Sequence, residues 1–106
     1  MVKAKDIKSI KENIIKYKDL LANQTDLIQI FKLESEIKEQ QYRLMDVESQ
    51  LLNIDIGLYK NAQLHKQIFI DKYINGLTGK QLINKYNIPR TSLYKLLSTA
   101  RTLFEK

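Results

Sequence analysis

Residues 78–97 read TGKQLINKYNIPRTSLYKLL, and this stretch decides the fold predicted for the C-terminal part of the chain. Thr78 is a favourable helix N-cap, and Gln81 three residues later completes a capping box. Asn87 tolerates the left-handed backbone of a sharp turn, and Pro89 suits the first turn of a following helix because its missing N–H costs nothing there. The stretch therefore predicts two helices joined by a tight turn, the second running over 90–104.

The apolar residues of this stretch fall where a helix-turn-helix motif needs them. Over the twenty residues 79–98, the five expected apolar positions are filled by Leu82, Tyr86, Ile88, Leu93 and Leu96. Ile83 departs from the pattern, because a small residue usually stands where the two helices cross most closely. We therefore expect either helices that splay slightly or an Ile83 side chain that points elsewhere.

The same region resembles known DNA-binding modules. Residues 88–95, IPRTSLYK, resemble the recognition helix of DNA invertases and resolvases. The wider stretch 69–103 is similar to the C-terminal, −35-reading domain of bacterial sigma factors, and to small phage transcriptional regulators of the ArpU/RinA type. The resemblance implies a sequence-specific transcriptional regulator, encoded by a phage or mobile element, whose last helix enters the major groove.

A recognition helix in the major groove brings its outward N-terminal residues to the base edges. The expected base contacts are Arg90, Thr91, Tyr94 and Lys95. Arg90 can form a bidentate fork to guanine, whereas Lys95 can reach either guanine or a phosphate. Tyr94 has the alternative of a partly buried position in the core.

Hydroxyls near helix starts and cationic side chains around the motif are candidate phosphate contacts. The expected phosphate contacts are Thr78, Lys80, Lys85, Ser92 and Arg101. Arg101 has an alternative partner in Glu105, four residues later on the same helix. Lys66 and Lys72 are expected to be solvated, and His65 to be structural because the chain has neither Cys nor a second His.

The N-terminal half carries two apolar stripes at helical spacing. The first, over about 4–22, consists of Ile7, Ile10, Ile14, Tyr17 and Leu21. The second, over about 25–53, alternates steps of three and four residues as coiled coils do, and its members are Ile30, Leu33, Ile37, Gln40, Leu44, Val47, Leu51 and Ile54. So long a helix needs a partner along its length, and the polar Gln40 is expected to fix the register of that pairing.

Two arrangements satisfy this pattern. The first helix can fold back on the second as an intramolecular hairpin, or the second can pair with another copy of the chain. The two can coexist, because Leu27, Ile28 and Phe31 widen the apolar surface beyond one seam. A homodimer formed through the arm is expected, and its predicted contacts are Ile30, Leu33, Ile37, Leu44, Val47 and Leu51. Gly57 is expected to end the long helix, and a third helix is expected over about 60–75. The predicted architecture is therefore all-α, with a helical hairpin or coiled-coil arm over 1–56 and a three-helix helix-turn-helix domain over 57–106.

Charge is distributed unevenly along the 106 residues, whose net charge is +6. Residues 1–59 carry nine Lys and Arg against ten Asp and Glu, whereas residues 60–106 carry nine against two, a net +7. A basic domain beside a near-neutral one indicates a polyanionic partner, and double-stranded DNA is the expected one. The alternative is a solvated Lys-rich surface that has no such partner.

Composition argues against several other classes of protein. The sequence has no apolar run of eighteen residues and no secretory h-region, so we expect no membrane span and place the protein in the cytoplasm of a bacterial host. With no Cys and one His, the chain is expected to need no disulfide, metal or cofactor. No acid pair or nucleophile has supporting spacing, so we do not expect an enzyme.

Two other functions remain candidates at this point. A small terminase-like DNA-packaging subunit also joins a helix-turn-helix to a coiled coil, although in such proteins the DNA-binding part usually comes first. Alternatively, a sigma-like module can bind RNA polymerase, with the long helix as the docking surface. Solution mass separates the packaging subunit from a dimeric regulator, and charge reversal at Arg90 and Lys95 separates protein contact from DNA contact.

Overall fold

A computed structural model describes residues 1–58 and 60–106. Their regular structure is entirely helical, which confirms the all-α prediction and the presence of one long helix. The α-helices are α1 (Ile7–Ala22), α2 (Leu27–Gly57), α3 (Ala62–Phe69), α4 (Gly79–Tyr86) and α5 (Arg90–Phe104). A short 3₁₀ turn, Ala4–Asp6, precedes α1, and a π-helical turn, Ile70–Ile74, continues α3. None of these helices is both long and apolar enough to cross a membrane.

The ends of the long helix follow local signals. Asp26 caps its N-terminus, because the side-chain Oδ1 accepts a hydrogen bond from the backbone N–H of Ile28 at 2.9 Å. The helix ends at Gly57, as predicted. A Cβ at Gly57 would overlap the side chain of Leu103 on α5, so the absence of a side chain here lets α5 approach α2 closely.

The larger hydrophobic core joins the two ends of the chain. The stripe predicted on α1 faces this core, where Ile7, Ile10 and Ile14 are buried. Its other buried members are Val2, Ala4, Val47, Ile54, Phe69, Ala100 and Phe104. The rings of Phe69 and Phe104 lie 4.6 Å apart between centroids, in a tilted arrangement. Helix α1 packs on α2 and on the π-helical turn, and α2 also packs on α3 and α5, so residues on both sides of the predicted domain boundary contribute to one core.

A buried glutamine fastens the chain termini to α2. The Gln50 side chain accepts a hydrogen bond from the backbone N–H of Val2 at 2.7 Å and donates to the carbonyls of Val2 at 2.8 Å and Phe104 at 2.9 Å. Glu105 adds a second link, since its Oε1 accepts from the backbone N–H of Ala4 at 3.0 Å. An unmade hydrogen bond at a buried polar group costs about 1–3 kcal/mol, so these links contribute to holding α5 in place.

Candidate nucleic-acid interface

Helices α4 and α5 are joined by the local structure that the sequence predicts. The Thr78 hydroxyl accepts from the backbone N–H of Gln81 at 3.2 Å, and the Gln81 side chain accepts from the backbone N–H of Thr78 at 2.8 Å. Asn87 has φ 51° and ψ 50°, the left-handed conformation expected of it. Pro89 has extended backbone and lies one residue before the first turn of α5, at the N-cap. The capping box and the turn are thus confirmed, with Pro89 shifted by one position.

A second, smaller core fixes which face of α5 is covered. Its buried members are Ile68, Leu82, Leu93 and Leu97. Tyr86, Ile88 and Leu96 pack against this core in partly buried positions, as does Ile83, the residue that departs from the helix-turn-helix pattern. Because Leu93 and Leu97 point inward, residues on the other side of the helical wheel point away from the protein. The N-terminal half of α5 therefore has one packed face and one open face.

The four residues predicted to contact bases all lie on this open face. Arg90, Thr91, Tyr94 and Lys95 are exposed, and Tyr94, for which a partly buried position was the alternative, is 57% exposed. The Nε of Arg90 donates to the Tyr94 hydroxyl at 3.2 Å, and the guanidinium carbon lies 5.6 Å from the centroid of the Tyr94 ring. This contact restricts the guanidinium to one region of the surface without burying it.

The residues predicted to contact phosphate occupy different environments. Thr78, Lys80 and Arg101 are exposed, and Ser92 is partly buried in the first turn of α5. The Glu105 carboxylate contacts the Ala4 backbone, and within the described residues no ion pair joins it to Arg101. Lys66, expected to be solvated, instead forms an ion pair with Asp55 at 2.9 Å. The Nδ1 of His65 donates to the carbonyl of Asn61 at 2.7 Å, a local structural contact.

Lys85 differs from these residues, because its ammonium group forms an ion pair with an acid of the same chain. Its Nζ lies 2.7 Å from Oδ2 of the buried Asp71, which also accepts hydrogen bonds from the Tyr86 hydroxyl and, at 2.9 Å, from the Asn75 amide. Burial alone raises the pKa of Asp71, but the hydrogen bonds from Lys85, Tyr86 and Asn75 outweigh it and hold that pKa below the ordinary 3.8. The hydrogen bond to Asp71 raises the pKa of Lys85. This cluster ties the π-helical turn to α4.

Burial raises the pKa of Tyr86, and its hydrogen bond to the Asp71 carboxylate adds to the same effect. The three groups therefore favour one protonation state together, with Asp71 ionised, Lys85 charged and Tyr86 neutral. This cluster has no local sequence signature, because Asp71 lies fourteen and fifteen residues from its two partners on α4. The π-helical turn, whose position the sequence did not predict, sets the position of Asp71.

Lys72 is a further cation that sequence reasoning assigned only to solvent. It lies where three surface grooves adjoin. One groove contains Lys80, Arg90 and Tyr94, and a second contains Tyr94, Ser98 and Arg101. The third runs past Thr78 to Lys5 and Lys8 at the beginning of α1. We call the residues Lys5, Lys8, Lys72, Lys80, Arg90 and Arg101 the basic track.

The basic track joins two parts of the sequence that the division after residue 59 kept apart. Residues 1–18 hold six Lys against two acids, whereas residues 19–59 hold three basic residues against eight acids. Packing of the π-helical turn against α1 brings the first, basic segment to the basic C-terminal part. Glu12 is the acid near this end of the track; its Oε1 lies 3.9 Å from Lys8 Nζ, and both side chains are largely exposed, so the pairing is weak.

The six residues predicted to mediate oligomerisation face the interior of the single chain. Ile37 and Val47 are buried at 8% and 3% exposure, and Leu44 and Leu51 pack against the larger core. Ile30 and Leu33, nearer the start of α2, are partly buried. Gln40 on the same seam is also buried, and its Oε1 has no hydrogen-bond partner among the described residues. Their role between copies of the chain stays a prediction, although within one copy they are already largely covered.

Comparison with known proteins adds no family assignment. No protein-family model matches the chain, and no curated protein and no solved structure is significantly similar to it. In the described part of the chain, no group of three or more His, Cys, Asp or Glu side chains is arranged to hold a metal ion. The open face of α5 and the basic track beside it are therefore the features of the chain that indicate a function.

Proposed function

We propose that the protein is a sequence-specific, double-stranded-DNA-binding regulator of transcription. In this proposal α1 and α2 form a helical arm, α3 to α5 form a helix-turn-helix domain, and α5 lies in the major groove. The observation that carries the proposal is the open N-terminal face of α5. There Arg90, Thr91, Tyr94 and Lys95 are all exposed, on a helix whose opposite face is fixed by Leu93 and Leu97.

The chemistry of this face suits base edges in the major groove. Arg90 presents a planar fork that matches the O6 and N7 acceptors of guanine, and its contact with Tyr94 reduces the conformational freedom lost on binding. Thr91 offers a hydroxyl to a base and a methyl group to thymine. Lys95, one turn further along α5 than Thr91, reaches either guanine or a phosphate. The proposed specificity therefore centres on a guanine opposite Arg90.

The basic track supplies the sequence-independent part of the interface. Lys80 and Arg101, with the hydroxyls of Thr78 and Ser92, were predicted to contact phosphates, and we add Lys72, Lys5 and Lys8 to them. Lys85 is assigned a different role in this proposal: by pairing with Asp71 it positions α4 rather than neutralising DNA. Each phosphate neutralised steepens the dependence of log K on log salt by about 0.9.

The assignment to transcription depends on the resemblance of residues 69–103 to sigma-type domains. A phage or mobile-element regulator acting in the bacterial cytoplasm, with RNA polymerase as a further candidate partner, is the form that this resemblance implies. DNA binding by itself does not depend on it, because the open face of α5 and the basic track support DNA binding alone. The two parts of the proposal can therefore be tested separately.

Selection from a pool of random duplexes tests DNA recognition without knowledge of the operator. The wild-type chain is expected to enrich a short motif that contains guanine, and Arg90→Ala is expected to relax selectivity at that guanine. Arg90→Glu with Lys95→Glu is expected to abolish enrichment. Lys16→Glu with Lys18→Glu makes the same charge change at exposed positions of α1 outside the track, and it should leave enrichment intact. No enriched motif with the wild-type chain would refute the proposal.

The contribution of α1 to the track has its own matched test. Lys5→Gln with Lys8→Gln should lower the log–log salt slope of duplex binding by about 1.8 if each lysine neutralises one phosphate. Lys16→Gln with Lys18→Gln removes the same number of charges from exposed positions of α1 outside the track and should leave the slope unchanged. Equal slopes for the two variants would confine the interface to the C-terminal part of the chain.

A further inference from the structure

Helix α2 carries a second heptad pattern, on the side that points away from the protein. Its positions are Ile28, Phe31, Ser35, Lys38, Tyr42, Met45, Ser49, Leu52 and Ile56, and we call this set the outer seam. The steps between them alternate between three and four residues without interruption. All nine residues are exposed, and the six apolar ones range from 57% exposed at Leu52 to 83% at Ile56.

The outer seam lies nearly opposite the seam that the rest of the chain covers. We call the covered seam the inner seam; its members are Ile30, Leu33, Ile37, Gln40, Leu44, Val47, Leu51 and Ile54. From Phe31 onward, each outer-seam residue follows an inner-seam residue by one or two positions, as Met45 follows Leu44 and Tyr42 follows Gln40. Each residue advances an α-helix by about 100°, so the two seams are separated by roughly 150° around the axis. A repeat averaging 3.5 residues is the pattern by which helices supercoil around a partner helix. The outer seam therefore has the form of a coiled-coil face with no partner in this chain.

We infer that the outer seam pairs with the outer seam of a second copy of this chain. The partner must be a helix with the same period over about 29 residues, roughly 43 Å. In the described chain α2 alone has that length, while α1 has 16 residues and its apolar stripe is already buried. A second copy of α2 supplies a partner of equal length and matching repeat. The interface so assigned is distinct from the inner-seam contacts that the sequence pattern predicted.

The exposed apolar area is sufficient for a dimer. Each of the six apolar side chains leaves on the order of 100 Å² accessible. Two copies meeting along the seam therefore remove roughly 1,200 Å² from solvent, the lower end of the range for specific protein–protein interfaces. Ser35, Lys38 and Ser49 weaken the pairing and restrict its register, as polar residues in coiled-coil seams do. We expect a reversible, concentration-dependent dimer.

The flanks of the outer seam predict how salt acts on this dimer. Glu34, Glu39, Asp46 and Glu48 border the seam, against Lys32 beside it and Lys38 within it, so these positions carry a net charge of −2. Two faces of the same net charge therefore meet in the dimer, and screening by salt reduces their repulsion. Dimerisation should strengthen as salt is added, whereas DNA binding should weaken. None of the outer-seam residues lines the grooves that adjoin Lys72, so dimerisation leaves the basic track open.

Sedimentation equilibrium on the full chain tests the inference. Wild type should pass from 12.5 kDa to twice that mass as concentration rises, and added salt should favour the dimer. Tyr42→Glu with Leu52→Glu should raise the dimer dissociation constant by about 100-fold or more, with the helical circular dichroism retained. Ile15→Glu with Leu20→Glu makes the same chemical change at exposed apolar positions of α1 and should leave the dimer unchanged.

The inference would be overturned if wild type stayed monomeric at all concentrations. It would also be overturned if Ile15→Glu with Leu20→Glu dissociated the dimer and Tyr42→Glu with Leu52→Glu did not. The inference does not depend on DNA binding, because the outer seam and the basic track are separate surfaces. A chain that dimerises but selects no duplex would refute the proposed function and leave the dimer standing. The converse result would refute the dimer alone.

Single cysteines give a second, independent measurement, because the chain has none of its own. Tyr42 lies at the middle of the outer seam, so two copies of Tyr42→Cys approach each other in a parallel or an antiparallel pair, and a short bismaleimide should link them. Ser49→Cys should link to itself in the parallel, in-register pair alone, which gives the orientation. Ser9→Cys, exposed on α1, is the control that should not link. Linking at Ser9→Cys but not at Tyr42→Cys would contradict the inference.

Discussion

The two lysines of α4 lie five residues apart, and they differ in whether an acid of the chain pairs with them. Lys85 is itself largely exposed, but its ammonium group is paired with the buried Asp71, which accepts its hydrogen bond at 2.7 Å. Lys80 is exposed beside Arg90 in a surface groove. Both look alike in a sequence, and both were predicted to contact phosphate. A count of basic residues therefore overstates the charge that is free to bind a polyanion, because Lys85 is paired whereas Lys80 lies unpaired beside Arg90 in the described structure.

Removal of the carboxylate that pairs with Lys85 is expected to have the greatest effect. Asp71→Ala leaves Lys85 and the partly buried Tyr86 hydroxyl without their acceptor. A buried polar group left without its hydrogen-bond partner costs about 1–3 kcal/mol. Water can solvate Lys85, whose side chain is 53% exposed, so the loss comes mainly from the Tyr86 hydroxyl and the Asn75 amide, and we expect about 2–3 kcal/mol of unfolding free energy. Urea denaturation measures it, and a loss below about 1 kcal/mol would show that the bridge is not important for stability.

Removal of the exposed Arg90 side chain is expected to have the next greatest effect, on DNA binding. Arg90→Ala should weaken binding to the selected duplex by about 2 kcal/mol, within the 1–3 kcal/mol usual for a bidentate contact to guanine. The unfolding free energy should change little, because Arg90 is exposed and contacts only Tyr94 among the described side-chain partners. Fluorescence anisotropy gives the binding change. A variant that binds the duplex as well as wild type would remove Arg90 from the reading face.

A crossed pair of substitutions on α4 compares the two sides directly. Lys80→Gln should lower the salt slope of DNA binding by about 0.9 and leave stability unchanged. Lys85→Gln removes the same charge from the same helix, yet it should lower stability and leave the slope unchanged. Equal effects on the slope would show that Lys85 also contacts phosphate, as the sequence alone suggested.

Mild acid should produce the smallest effect, by titrating the same bridge. The folded pKa of Asp71 is below 3.8, so its ionisation favours the folded state above that value, and this contribution is lost as pH falls through the folded pKa. Lys85 has a raised pKa, so its contribution is complete below 10.5 and is lost as pH rises through the folded value. Wild-type stability should therefore fall below about pH 4 more steeply than that of Asp71→Asn. If the unfolding free energies of the two proteins fell equally as pH decreased below about 4, Asp71 would not be the origin of this pH dependence.

Local signals in the sequence were sufficient to predict the α4–α5 unit. The Thr78–Gln81 box, the left-handed Asn87 and the end of α2 at Gly57 each depend on residues within a few positions of one another. The open face of α5 follows from helical periodicity once Leu93 is assigned to the core. These features could be predicted because secondary structure fixes the geometry between neighbouring residues.

Contacts between distant residues could not be predicted in this way. Gln50 bonds to residues 48 and 54 positions away, and Asp71 meets Lys85 through a π-helical turn that has no simple sequence signal. The shared core, which brings the lysines of α1 to the C-terminal region, likewise depends on how helices pack. The outer seam differs from these cases: its period is present in the sequence, but Ser35, Lys38 and Ser49 interrupt its hydrophobicity, so the sequence pattern favours the more continuous inner seam as the dimer contact.

The proposed function requires that the open N-terminal face of α5 contact duplex DNA. Amide NMR of the ¹⁵N-labelled chain, titrated with the duplex recovered by selection, measures this contact residue by residue. The largest shift changes are expected at residues 90–95, with smaller ones at Lys72 and Lys80 along the basic track. Shift changes confined to α2, or none at residues 90–95 when the duplex is saturating, would contradict the claim.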